Sequence, residues 1–90
     1  MAAELAEARA RLAETPSSVV VANHAMGLYE LAAIHLSNDP PNLSESKVAI
    51  DAMAAIVDAL PGRLGEHEET LKAARSQIQL AYVELSQQAE

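Results

Sequence analysis

Proline and glycine divide this chain into segments that each have the composition of a helix. The interruptions fall at Pro16, Pro40-Pro41, Pro61-Gly62 and Gly65. Proline does not continue a helix, because it lacks the backbone N–H and its ring clashes with the preceding turn. Alanine is the strongest helix former and occurs 19 times in 90 residues, and no segment alternates apolar and polar residues as a strand would. We therefore predict an all-α fold, a small helical bundle of three main helices plus a short N-terminal helix.

The length allows one small domain. Residues 1–15 form the N-terminal helix, and residues 16–90 form the bundle domain. In the first of these, Leu5 and Leu12 are the only large apolar residues after Met1, and charged residues occupy much of the remainder. We expect this helix to dock loosely and to be mobile.

The second segment is apolar around nearly its whole circumference between Val19 and Leu36. A helix of this kind must be buried on more than one side, so we place it at the centre of the bundle. Two neighbouring helices cover only two of its faces, and exposed apolar surface of this sort marks association. Four polar residues argue against a membrane span: Asn23, His24, Glu30 and His35.

Local signals predict where the helices begin. Thr15 is expected to cap the second helix with Pro16 in its first turn. Asn42 is expected to cap the third, with Glu45 reaching back to the Asn42 amide, and the third helix should end near Leu60. On its solvated side, Lys47 and Asp51 are spaced to pair.

The last segment carries an apolar spine at seven-residue spacing: Leu64, Leu71, Ile78 and Leu85. Such a spine predicts a helix packed along one seam, with Tyr82 beside it. Because a two-fold dimer is the commonest closed assembly, we expect self-association as a homodimer. The candidate interface residues are Val20, Leu28, Leu31, Leu71, Ile78, Tyr82 and Leu85.

No group of residues has the pattern of a catalytic, cofactor or metal site. The chain has no cysteine, which excludes thiolate chemistry and fits a reducing, cytoplasmic location. His24 and His35 lie about 16 Å apart along one helix, too far to share an ion. His67 opens a motif like that of zinc proteases, but Leu71 stands where the second histidine is required. We predict a non-enzymatic protein that uses no cofactor.

The formal net charge of −7 opposes binding to nucleic acid or to anionic lipid. A basic site made by Arg63, Lys72 and Arg75 would lie among acidic residues: Glu66, Glu68 and Glu69. The Gly62-Arg63-Leu64-Gly65 sequence superficially matches an RNA-clamping loop. That class of domain needs a sheet, so we interpret these residues as an inter-helix turn.

Three stretches carry a resemblance: Asn42-Leu43-x-x-Ser46-Lys47-x-x-Ile50-Asp51, Gly62-x-Leu64 and Gln79-Leu80-Ala81-Tyr82-x-Glu84. From about Val19 to Ser86 the chain resembles a family of small bacterial proteins known only as a domain of unknown function, closest to its actinobacterial branch. Ser46 stands where that family has alanine. The resemblance implies a small cytoplasmic helical protein with no established activity, and it suggests a translation-linked partner.

The functional expectation is therefore an interaction or adaptor protein that forms a homodimer and presents an acidic surface to a protein partner. The alternative is a helical domain that binds a small ligand or a metal, using His24, Glu30, His35 or His67 in a site completed across a dimer.

Overall fold

The structure is a computed structural model that describes residues 1–88. Helix α1 spans Ala2–Glu14, α2 Ser17–Ser37, α3 Leu43–Ala59 and α4 Glu68–Gln88, and a single 3₁₀ turn, Gly65–His67, precedes α4. No strand occurs within these 88 residues. The predicted all-α bundle of three main helices with a shorter N-terminal helix is confirmed.

Helices α2, α3 and α4 each pack against the other two. Their shared core is built from small and medium aliphatic side chains, since the chain has no phenylalanine or tryptophan. The buried apolar residues are Ala22, Ala25, Ala32, Leu36, Ala49, Ile50, Met53, Val57, Leu64, Leu71, Ala74 and Ile78. Alanines on α2 let α3 approach closely, and larger side chains from α3 and α4 fill the remaining space.

The seven-residue spine of the last segment is part of this core. Leu64, Leu71 and Ile78 are buried, and Leu85 is half-buried near the end of α4. Seven residues are almost two helical turns, so Leu71, Ile78 and Leu85 lie on the side of α4 that faces the other helices. Leu64 joins them in the core from the turn that precedes α4. The prediction that the spine packs into the core is confirmed.

Helix α1 lies apart from the bundle. It has no buried residue and packs against none of the other helices. Leu5 and Leu12 share one face of α1, and both side chains are exposed. The core of residues 16–88 therefore forms without any contribution from α1.

The predicted cap at Thr15 is wrong. The Thr15 hydroxyl donates to the Arg11 carbonyl at 2.8 Å, and its backbone N–H bonds to the Arg11 and Leu12 carbonyls. These bonds make Thr15 the end of α1, so its oxygen is not turned toward α2. Helix α2 begins at Ser17 after Pro16, with no side-chain cap.

The Asn42 cap of α3 is confirmed, because its side-chain oxygen accepts from the Glu45 backbone N–H at 3.2 Å. The predicted bond from the Glu45 side chain back to the Asn42 backbone N–H is wrong, because that N–H has another partner. It donates to the His35 carbonyl at 2.9 Å, which ties the start of α3 to the last turn of α2.

The turn between α3 and α4 uses two glycines in the left-handed region, Gly62 at φ 75° and Gly65 at φ 73°. Residues with a Cβ rarely adopt this conformation. The Glu68 carboxylate closes the turn by accepting from the backbone N–H groups of Gly62 and Leu64. The prediction of a glycine-dependent inter-helix turn is confirmed.

Candidate functional site

The side of α2 that faces away from α3 and α4 carries an uncovered apolar stripe. We call this stripe, formed by Val20, Gly27, Leu31 and Ile34, the α2 outer face. Leu31 is 44% exposed and Ile34 61% exposed, whereas Val20 is half-buried. At 100° per residue these positions lie opposite the buried alanines of α2. The helix thus offers one apolar side to the core and a second to solvent.

Polar side chains flank the α2 outer face on both sides. Asn23, His24 and Glu30 are all exposed. The His24 Nδ1 lies 2.8 Å from the Val20 carbonyl, which can only accept, so Nδ1 donates and Nε2 is left for an outside partner. Neither His24 nor Glu30 forms an ion pair with any residue from 1 to 88.

Gly27 leaves a gap at the middle of the α2 outer face. A Cβ atom placed on Gly27 would meet no other atom within 4 Å. Because Gly27 has no side chain, the backbone of another helix can approach α2 most closely at this point.

The predicted interface residues fall in three different environments. Val20 and Leu31 belong to the α2 outer face, and Leu28 is half-buried at its flank. Tyr82 and Leu85 are half-buried on α4. Leu71 and Ile78 are buried between helices of the same chain, where they have no free side for a second copy.

Sequence reasoning did not include Gly27 or Ile34 among the interface residues. The signal that identifies them is the seven-residue spacing of Val20, Gly27 and Ile34, which repeats the spacing of the spine on α4. A glycine at the middle position concealed this spacing.

A second feature is an open cleft of about 260 Å³ between α3 and α4. It is lined by Lys47, Ile50, Asp51, Gln79, Tyr82 and Val83. The first and last of the three stretches that carry the resemblance therefore meet at this cleft. The predicted pairing of Lys47 with Asp51 is confirmed at 2.8 Å, and its hydrogen bond raises the pKa of Lys47 above the ordinary value.

The histidines are dispersed. His67 is exposed beside Glu66, at 3.7 Å, whereas the Nδ1 of His35 is buried and has no hydrogen-bond partner among residues 1–88. In the part of the chain that the structure describes, no three histidine, aspartate or glutamate side chains are placed to hold one metal ion.

Two of the basic residues considered for nucleic-acid binding are engaged with carboxylates. Arg75 donates to Asp58, and Lys72 lies 3.4 Å from Glu68 and 3.5 Å from Glu69. These carboxylates raise the pKa of Lys72, the hydrogen bond with Glu68 being the largest cause. The positive charges of Arg75 and Lys72 are thus each balanced by a neighbouring carboxylate.

Helix α2 is also the one helix within residues 1–88 whose length and mean hydropathy would allow it to cross a membrane. Length and composition are the only criteria that α2 meets, and 22% of the relevant stretch is buried in the bundle. No family model, curated protein or solved structure matches this chain.

Proposed function

We propose that this chain is a non-enzymatic interaction protein that self-associates through the α2 outer face and presents an acidic surface to a protein partner. The observation that supports this proposal is the apolar stripe of Val20, Leu31 and Ile34 on a helix whose opposite side is already packed. Burying an exposed aliphatic side chain contributes about 1.5–3 kcal/mol when it is complete. Leu31 and Ile34 are partly covered, so each would contribute a fraction of this, twice in a symmetric dimer.

A protein surface is a more favourable partner for the α2 outer face than lipid is. Asn23, His24 and Glu30 lie along the stripe, and a polar or charged group in hydrocarbon costs several kcal/mol unless it is paired. At a protein interface the same groups can form hydrogen bonds at the rim. We accordingly propose a cytoplasmic protein without a membrane-spanning segment.

The net negative charge of the chain indicates what kind of surface a protein partner would have. A net charge of −7 steers association toward basic surfaces and away from phosphate backbones. The partner we propose is accordingly a protein with a basic surface, in keeping with the translation-linked partner that the resemblance suggests.

The experiment that tests self-association is the solution mass, measured by light scattering after size exclusion over a roughly hundredfold concentration range. We expect twice the mass of the single chain at the upper concentrations. Ile34→Glu places a charge on the α2 outer face and should give a monomer. The matched control is Val48→Glu, because Val48 is 69% exposed on α3 and should leave the dimer intact. A wild-type chain that is monomeric throughout would overturn the proposal.

The second candidate function is binding of a small ligand, and the cleft between α3 and α4 favours it. Lys47, Asp51 and Gln79 supply charge and hydrogen-bonding groups there, and Tyr82 supplies an aromatic surface. Calorimetric titration with small carboxylates, phosphates and amines tests this function. A heat of binding that is lost in Gln79→Ala but kept in Gln77→Ala would support this function, since Gln77 is an exposed residue of α4 that does not line the cleft. Titration with zinc and nickel in the same series tests a metal site completed by a second copy.

A further inference from the structure

We propose that the cleft between α3 and α4 binds an α-amino acid with a large apolar side chain, whose carboxylate lies at Lys47 and whose ammonium group lies at Asp51. This inference rests on the small-ligand function proposed above and names the class of ligand. The evidence is an apolar floor that lies beside one positive and one negative charge of the same helix.

Three side chains form the floor of the cleft: Ile50, Tyr82 and Val83. Ile50 is buried, Tyr82 is half-buried and Val83 is 47% exposed. The exposed part of Val83 and the ring of Tyr82 offer apolar surface that a ligand side chain can cover. The volume of about 260 Å³ lies below the roughly 300–1,000 Å³ of sites for drug-sized ligands, so the cleft suits a molecule the size of one amino acid.

Lys47 and Asp51 lie one turn apart on α3, and both line the cleft. The Lys47 Nζ is 2.8 Å from the Asp51 Oδ2, and both side chains are more than half exposed, at 56% and 61%. An ammonium group has three donors and a carboxylate has two oxygens, so this one contact leaves each group able to bind further partners. The cleft therefore presents two opposite charges side by side.

A ligand with a single charge meets both an attractive and a repulsive group at this pair. A carboxylate drawn to Lys47 also approaches the Asp51 carboxylate, and an amine drawn to Asp51 also approaches the Lys47 ammonium. An α-amino acid carries its carboxylate and its ammonium group on one carbon atom. It can place a negative charge at Lys47 and a positive charge at Asp51 at the same time, so that each of the four charges has an opposite neighbour.

Gln79 lies across the cleft on α4 and supplies a group that both donates and accepts hydrogen bonds. Neither the Gln79 amide nor the Tyr82 hydroxyl forms a hydrogen bond with another residue from 1 to 88. Gln79 can thus bind the ligand's carboxylate or ammonium group without losing a contact within the chain. The side chain of the amino acid is then left to cover the apolar floor.

Binding should be weak, because the cleft is open to solvent and exposed ion pairs contribute little. We expect a dissociation constant on the order of 1 mM. NMR titration of the ¹⁵N-labelled full chain suits this range, since shifts of amide signals report both the affinity and the residues that lie near the ligand.

The test compares four probes at about pH 7, where lysine and aspartate side chains are charged, and at low ionic strength, where screening is weakest. The probes are L-phenylalanine, 3-phenylpropionate, which lacks the ammonium group, phenethylamine, which lacks the carboxylate, and glycine, which lacks the side chain. We expect L-phenylalanine to shift the amide signals of the residues that line the cleft and to bind about fivefold more tightly than either single-charge analogue. Glycine should cause no shift at the same concentrations, because it does not cover the floor.

Two variants should exchange this preference. Asp51→Asn removes the negative charge at nearly constant size, so 3-phenylpropionate should bind it more tightly than L-phenylalanine does. Lys47→Gln should favour phenethylamine for the corresponding reason. Tighter binding of an analogue cannot result from loss of the fold. The matched control is Glu45→Gln, since Glu45 is exposed on α3 and does not line the cleft, and it should keep the wild-type preference.

The outcomes separate this inference from the small-ligand function. If the three phenyl compounds bind the cleft equally tightly, or if Asp51→Asn and Lys47→Gln leave their order unchanged, then recognition of an amino acid is wrong while a small-ligand site stands. If no probe shifts the amide signals of the cleft, this inference fails. The small-ligand function fails with it only if the calorimetric series of carboxylates, phosphates and amines also gives no heat of binding.

Discussion

The carboxylate of Glu68 accepts a hydrogen bond from the backbone N–H of Leu64 at 3.0 Å, and its other oxygen accepts from Gly62 at 2.9 Å. A side chain in the first turn of α4 therefore holds the turn that leads into it. These two bonds, more than the nearby lysine, lower the pKa of Glu68 below its ordinary value of 4.5. The side chain is well covered, at 13% exposed.

Replacing Glu68 should make the stability of the fold less dependent on pH. Because its pKa is lower in the folded chain, Glu68 stabilises the fold above about pH 4.5 and loses this contribution as pH falls through the folded value. We expect Glu68→Gln to lower Tm at pH 7 and to flatten the decline of Tm between about pH 5 and pH 3. Thermal melts at a series of pH values measure both effects. Glu84→Gln is the control, since Glu84 is exposed on α4 and forms no ion pair with any residue from 1 to 88, and it should keep the wild-type profile.

Shortening an apolar side chain on α4 should lower the free energy of unfolding markedly only where that side chain is buried. Ile78 lies in the core, and Ile78→Ala removes buried methyl groups at an expected cost of about 2–4 kcal/mol. Leu80, two residues on, is exposed, and Leu80→Ala should change the free energy of unfolding by less than about 0.5 kcal/mol. Ile78→Asp buries a charge with no partner and should prevent stable folding. Urea denaturation compares the three variants, and equal losses for Ile78→Ala and Leu80→Ala would contradict the described packing.

Ser46 should tolerate a smaller residue and reject a larger one. It is fully buried on α3, and its hydroxyl donates to the Leu43 carbonyl within the same helix at 3.0 Å. Ser46→Ala removes a bond that competes with regular helix and should change the free energy of unfolding by less than about 1 kcal/mol. Ser46→Leu overfills the space and should cost about 1–3 kcal/mol. A large loss in Ser46→Ala, measured by denaturant unfolding, would show that the hydroxyl is needed for more than local bonding.

A chain that begins at Pro16 should keep the Tm of the full chain to within about 2 °C. Helix α1 contacts no other helix, and stability depends on packing that residues 16–88 provide among themselves. Differential scanning calorimetry of both forms at one concentration tests this expectation. A marked loss of Tm in the shorter form would mean that α1 docks on the bundle or on a second copy.

The helices were predictable because their signals are local. Proline, glycine and the Asn42 cap determine where segments begin and end, and the seven-residue spine identifies the buried side of α4. The outward side of α2 was not predictable in the same way, since apolar residues surround the whole helix and the direction of the core depends on how α3 and α4 pack. Leu71 and Ile78 were predicted to lie at an interface and are buried in the core, because a seven-residue spacing of apolar residues is compatible with either location. The bonds of Glu68 to Gly62 and Leu64 were not predictable from the sequence, because they depend on the path that the turn takes.

The separation of α1 from the bundle also determines where proteases can act. A helix of 13 residues without tertiary contacts is only marginally stable in water, so its backbone opens without any unfolding of the core. Arg9 and Arg11 both lie in this helix, which exposes two tryptic sites, whereas Lys47, Lys72 and Arg75 lie in packed helices and Arg63 lies in the turn that Glu68 holds. Brief trypsin treatment should thus release the N-terminal peptide first, leaving a resistant fragment that retains α2, α3 and α4.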